Sequence, residues 1–404
     1  MSSGLRRGWV VLALAAVLAG CGKTNMQRPE VHGEPSPATP PQHTILPGSS
    51  ESSGIATGNT IRVGGEGPIQ DAAAVATAIY PGLTPATRPQ AVVIVGSTEW
   101  PAALAASALA GAPLRAPILY GSSSGLPAAT SAALAALKPT GAQALGGAQV
   151  ILVGPVAKPS GYSTMTVQAT DPYALAGKLA TIVQRLDGNH VGAAIVAGTG
   201  QPDALAMPAA GLAAESGAPI LLVEPNAVPA STTAALEALG NPPIYAIGPA
   251  ASISEADIAT LESSGRTTRV GGGDLVQNAI KVAAFTNGTF GWGIQEPGHG
   301  LAFARASSPF DAPAAAPLSA NADYAPLLLL PSGEAVPLPL KRYLKDIQPG
   351  YTSAPESQPV RGVYNRGWVI GDTTAVSLGV QVELDALLRS VPRQSAYPSP
   401  SVAP

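Results

Sequence analysis

Residues 194–222 carry the stretch that decides the fold: Ala194-Ile195-Val196-Ala197-Gly198, then Pro202 to Ala214, then Ala218-Pro219-Ile220-Leu221-Leu222. A short apolar run ending in glycine, an Ala-rich segment of helical length and a second apolar run spell strand, helix, strand. Strands that are apolar at successive positions, rather than at alternate ones, belong to a parallel sheet covered on both faces.

The same pattern occurs on either side. Upstream it reads Val92-Val93-Ile94-Val95-Gly96, Ser97 to Trp100, Pro101 to Ala110 and Ala116-Pro117-Ile118-Leu119. Downstream it reads Leu301-Ala302-Phe303-Ala304, Pro309 to Leu318 and Ala325-Pro326-Leu327-Leu328. The Ala-Pro marks at 116, 218 and 325 are 102 and 107 residues apart, a domain-sized rather than a solenoid-sized period. Each Ala-Pro strand is followed by a helix (128–137, 230–239, 338–347) and by a third strand ending in Gly154, Gly248 or Gly371. Each unit opens with a further helix, over 71–78, 172–183 and 275–285. Alternating strands and helices of this kind predict three small, doubly wound α/β units with parallel sheets and right-handed crossovers. Their expected spans are 61–163, 164–265 and 266–390.

Composition excludes several classes. Only 12% of the 404 residues are charged, and the formal net charge is −3. A nucleic-acid partner, which needs a clustered basic surface, is not expected. A hydrophobic fraction of 46% is too high for a disordered chain, despite 45 Gly and 41 Pro, and a single cysteine excludes a disulfide scaffold. Aromatics make up 4%, so the core must be built from Ala, Val, Leu and Ile.

That cysteine is Cys21. Arg6-Arg7, an apolar run over 9–18 and Leu18-Ala19-Gly20-Cys21 have the layout of a secretory signal peptide, the run being too short to span a bilayer. The last four residues resemble the lipobox of bacterial lipoproteins. That resemblance implies lipidation of Cys21, a leader over 1–21 and anchoring to the outer face of the cytoplasmic membrane, by either Sec or twin-arginine export. Residues 22–60, rich in Pro, Ser, Gly and Thr, read as a tether reaching about 35 Å, and 391–404 as an unstructured tail.

The threefold pattern resembles the type 2 cell-wall-binding repeat, found in triplicate on exported proteins of Gram-positive bacteria. The second unit carries the likeness best, with Gln201-Pro202-Asp203-Ala204-Leu205, Ala218-Pro219-Ile220-Leu221-Leu222 and Ile247-Gly248-Pro249. The third keeps Phe310-Asp311-Ala312, Ile370-Gly371-Asp372 and the opening Arg269-Val270-Gly271-Gly272. The first keeps Arg62-Val63-Gly64-Gly65 but has Ala102 in place of the aspartate. The resemblance implies three flavodoxin-like units about a pseudo-threefold axis, binding a cell-wall polysaccharide or anionic wall polymer non-covalently.

Open α/β sheets bind ligands at the carboxyl ends of their strands. Ser97, Thr199 and Ser307, in the loops after the first strands, are therefore candidate contacts, together with Asp203 and Asp311 at helix starts. For those two carboxylates the preferred reading is structural, as partners of free helix N–H groups, and lining a ligand groove is the alternative. Arg62 and Arg269, with Arg305 and Arg361, are the available donors to carboxylate or phosphate.

Catalytic patterns are incomplete. Gly121-Ser122-Ser123-Ser124-Gly125 matches Gly-x-Ser-x-Gly, but Leu126-Pro127 separates Ser123 from the next helix. Of the four histidines, His32 and His43 lie in the tether, and His190 and His299 lie in or near loops. Gly198-Thr199-Gly200 follows a strand, but Asp203 stands where a dinucleotide loop needs glycine. No phosphate loop, zinc spacing or calcium loop is present, so no metal or cofactor is expected. A binding module is the preferred reading. A two-lobed solute-binding lipoprotein and an envelope hydrolase are the alternatives.

Overall fold

The computed structural model describes residues 54–351 and 364–392. Cys21, residues 22–53 of the expected tether and Arg361 lie outside the described residues.

The chain begins with β1 (Thr60–Val63) and α1 (Pro68–Ile79), followed by β2 (Val92–Gly96), α2 (Trp100–Ala106), β3 (Ile118–Gly121), α3 (Ala128–Leu137), β4 (Val150–Val153) and β5 (Thr164–Val167). Next come α4 (Pro172–Leu186), β6 (Ala194–Gly198), α5 (Pro208–Ser216), β7 (Ile220–Val223), α6 (Ala230–Ala238), β8 (Ile244–Ile247), α7 (Glu255–Glu262) and β9 (Thr267–Val270). The last part holds α8 (Leu275–Ala284), β10 (Gly300–Arg305), α9 (Asp311–Asn321), β11 (Leu327–Leu330), α10 (Leu338–Asp346), β12 (Gly350–Tyr351), β13 (Arg366–Ile370), α11 (Leu378–Leu388) and β14 (Val391–Pro392). Among the described residues, no helix is long and apolar enough to cross a membrane.

Three four-stranded parallel sheets result, in the orders β3-β2-β4-β5, β7-β6-β8-β9 and β11-β10-β13-β1. Their registers match. Ile94 lies between Leu119 and Leu152, Val196 between Leu221 and Ala246, and Phe303 between Leu328 and Val369. Every residue of β3, β7 and β11 is buried, as continuous apolar runs require. Thr130 on α3 and Thr232 on α6 donate, each at 2.6 Å, to the carbonyls of Tyr120 and Leu222. The third unit has Leu340 at that place, fully buried.

The fourth strand of each sheet is the feature that the sequence pattern did not predict. β5 closes the first sheet, yet α4, which follows it, packs on β7 and α6 of the second. β9 closes the second sheet, and α8 packs on β11 of the third. β1 closes the third sheet by pairing with β13, and α1 packs on β3 and α3 of the first. The strand that opens one repeat in sequence thus completes the preceding sheet in space, and β1, by completing the third sheet, closes the three units into a ring. Ile55–Asn59 belong to this closure: Asn59 N donates to Asp385 Oδ1 on α11 at 2.6 Å, and Arg62 N donates to Ile55 O. At the other end, Val391–Pro392 pair with Gly350–Tyr351.

The units meet through α5, α9 and the 3-10 segment Ser107–Ala110 after α2. Ala110, Ala214, Ala316 and Ala320 form a buried cluster there. A Cβ on Gly211 would lie 2.7 Å from Ser319 Oγ, and one on Gly111 would lie 2.5 Å from Ala214 O. Small side chains are what allow this approach. The scarcity of aromatics and the high Ala content therefore follow from the packing between units as well as within them.

Candidate functional site

In each sheet the chain crosses from one side of a central strand to the other, so the switch-point crevices lie at the carboxyl ends of β2/β4, β6/β8 and β10/β13. The glycines ending the third strands, Gly154, Gly248 and Gly371, have φ of +76°, +125° and +97°. A side chain there would be strained, which accounts for the glycine in all three units.

These crevices are occupied by the protein's own atoms. A Cβ on Gly96 would lie 2.8 Å from Glu99 Cγ, and Gly154 faces the same atom at 3.9 Å. Ser252 lies over Gly198 and Gly248 in the second sheet, and Ala375 lies over Gly371 in the third. What remains exposed is a shallow rim of loops, one after each of β2, β6 and β10.

Ser97 and Thr199 lie at equivalent points of that rim, their N–H groups donating to Gly121 O and Val223 O; the third unit has Ala306 at that point, donating to Leu330 O, and Ser307 follows one residue later. Ser97 and Thr199 are half-buried and Ser307 is exposed. Thr199 Oγ1 donates to Val223 O at 3.1 Å and lies 3.0 Å from the Tyr173 hydroxyl. Asp203 opens a 3-10 turn, half-buried, and its Oδ1 accepts from Gln201 Nε2 at 2.9 Å. Neither Asp203 nor Asp311 is a helix cap; Asp171, Ser254, Asp274 and Ser377 cap α4, α7, α8 and α11.

The two motif arginines differ from the expectation of ligand donors. Arg62 and Arg269 hold one structural position, opposite Val369 and Ala246 in the fourth strands, and brace the glycine turn of the neighbouring strand. Arg62 is fully buried: Nη1 donates to Gly371 O at 3.0 Å and Asp372 O at 2.7 Å, and Nε to Gln381 Oε1 at 3.0 Å. Its side chain is wholly buried, Nη2 without a partner, so in this structure it presents no accessible donor to a ligand, although Ile61 on the other face of β1 is exposed. Arg269 donates to Gly248 O, Ile253 O and Glu255 Oε1 while staying partly exposed. Thr166 is the counterpart in the first sheet. Arg305 is half-buried, with its Nε buried and unpaired.

Asp311 points inward rather than to the rim. It is buried against Asp71 of α1, and the two carboxyl groups share a hydrogen bond. Asp71 Oδ1 also accepts from Gly65 N at 2.6 Å. Burial, and next the charge of Asp311, push Asp71 up to about 9, and burial raises Asp311 to about 6 against hydrogen bonds from Ser308 and Asp71. Trp100 and Tyr120 set their rings edge-on to Phe310 beside this pair, and the Tyr120 hydroxyl donates to Phe310 O. Asp71 was invisible to motif reading. Its one signal is position: eight residues after Val63 in Val-Gly-Gly, as Asn278 follows Val270.

Ser123 lies in the tight turn Ser122–Gly125 after β3, with Ser122 Oγ 2.9 Å from Ser124 Oγ. His190 and His299 lie at the amino ends of β6 and β10, in the other two sheets. No described hydrogen bond joins Ser123 to a histidine. A cavity of about 430 Å³, lined by Glu215, Tyr245 and Phe290 among others, also opens at the amino ends of the second sheet, away from the rim.

Fold and rim together define a repeat-built α/β protein whose accessible loops are presented three times around a ring. The chain belongs to the cell wall binding domain 2 (CWB2) family, whose model matches residues 167–258 and 269–381, just over half of its length. Similar solved structures include Cwp8 from Clostridium difficile, 19% identical with a TM-score of 0.60 over 81% of this chain and 51% of that one. Cwp6 from Clostridium difficile is 20% identical with a TM-score of 0.65, over 82% of this chain and 48% of that one. At these identities the likeness is one of fold, and this chain spans about half the length of either. No curated protein matches it. Family membership supports a cell-wall-binding role and an extracellular or cell-envelope location.

Proposed function

We propose that the chain holds a cell-wall polysaccharide or anionic wall polymer non-covalently through the three rims, without catalysing a reaction on it. The observation that carries this reading is the recurrence of a loop after the central strand of three matched sheets, with Ser97 and Thr199 at the same point and Ser307 one residue past the equivalent Ala306, in a chain of the CWB2 family. With the guanidinium of Arg62 buried and that of Arg269 largely engaged, contacts made by hydroxyl and main-chain groups suit the rim better than an arginine clamp. Individually weak contacts at three sites add through effective concentration, so a polymer with repeating units is the fitting ligand. Cys21, lipidated, would tether this ring to the membrane surface.

Sedimentation with purified walls tests the rim. Replacing Ser97, Thr199 and Ser307 together by Trp should abolish retention of the folded protein. Glu215→Gln, at the opposite end of the second sheet, should leave it unchanged. Equal retention of the rim variant and the unaltered chain would remove the rim from the account. Cys21→Ser should move the protein from the membrane to the soluble fraction.

A further inference from the structure

We propose that Asp71 and Asp311 form a proton-dependent clasp between the first helix and the third repeat, closing the ring while they share a proton and freeing β1–α1 when it is lost. The placement is specific. Asp71 and Asp311 are 2% and 1% exposed, on α1 and α9, which pack against each other across the seam that the N-terminal strand closes. Asp311 Oδ1 is buried without a hydrogen-bond partner, so a full charge on that group is poorly compensated.

The equivalent seam between the second and third units shows what the position requires. Asn278 Oδ1 accepts from Gly272 N at 2.8 Å, and Nδ2 donates to Leu205 O at 2.8 Å. Asp71 Oδ1 accepts from Gly65 N in the same way. Its other oxygen therefore stands where the amide donates, and a protonated Asp71 reproduces the donor and acceptor of the asparagine. The first seam has the buried Leu175 at this position and no ionisable group there.

The surrounding groups leave the pair to titrate. Tyr120 of β3 faces both carboxyls, but burial raises it well above the ordinary tyrosine range, so it stays neutral. Asp372, after β13, adds a like charge to Asp71, and Arg62 of β1 offsets it. Arg305, at the end of β10, is the cation acting on Asp311. The step is a simple dissociation: Asp71–OH hydrogen-bonded to the Asp311 carboxylate gives two carboxylates and a proton released to water. The closed state holds one proton more than the open state, so closure is favoured at low pH. The opening constant should then rise about tenfold per pH unit between about 6 and about 9.

Hydrogen exchange on the full chain tests this, independently of wall binding. After correction for intrinsic rates, protection of residues 60–79 should fall about tenfold per pH unit from pH 6 to pH 9. The matched segment 267–284 should not follow, and Asp71→Asn should flatten the slope. A protonated-carboxyl infrared band at pH 7 should vanish in Asp71→Asn. If 60–79 and 267–284 lose protection in parallel, if the slope survives in Asp71→Asn, or if the unaltered chain has no such band, the clasp is refuted. Should that variant not fold, the segment comparison and the band in the unaltered chain decide.

Discussion

The seam joining the second and third units and the seam joining the third and first are built alike but chemically different. In both, a strand with an arginine closes one sheet, a glycine turn follows, and a polar residue on the next helix reaches back to that turn. In one the residue is Asn278, which has donor and acceptor at every pH. In the other it is Asp71, which has both only when protonated. The arginines contrast in the same sense: Arg62 is enclosed, whereas Arg269 shares its charge with the exposed Glu255. A repeat thus fixes which polar functions a place must provide, and the choice of residue decides whether they are permanent or conditional.

The largest effect on this contrast should come from Arg62→Met, which strands two carbonyls and the Gln381 amide. It should cost about 3–5 kcal/mol in denaturant unfolding. Asn278→Leu, which leaves Gly272 N–H and Leu205 C=O unpaired, should cost about 2–3 kcal/mol, with no pH dependence of its own. Asn278→Asp should transplant the conditional behaviour. Below about pH 4 its unfolding free energy should lie close to that of the unaltered chain, and it should fall as pH rises from there, because the folded state holds the extra proton. The smallest change should follow Glu255→Gln, below about 1 kcal/mol, because Arg269 keeps its two carbonyl partners and the pair is solvent-exposed.

The central strands and most helices were legible because their cause is local. Val92–Gly96, Ala194–Gly198 and Ala128–Leu137 begin and end where the apolar runs and prolines place them. The fourth strands were not, because Thr164-Met165-Thr166-Val167 and Thr267-Thr268-Arg269-Val270 are half-exposed edges with little apolar signal. That β1 pairs with β13, about 300 residues away, depends on ring closure, which no local window contains. The burial of Arg62 and Asp311 has no local signal either, because Arg and Asp are rarely buried and both lie inside at the seam that joins the third unit to the first. Ser97, Thr199 and Ser307 do fall on the rim, because the loop after a central parallel strand must emerge there.

The most direct test of the wall-binding account is co-sedimentation of the full chain with purified walls, before and after extraction of the polymers attached to peptidoglycan. The account predicts retention on intact walls and its loss once those polymers are gone. A chain that stays in the supernatant with intact walls at low salt would contradict it.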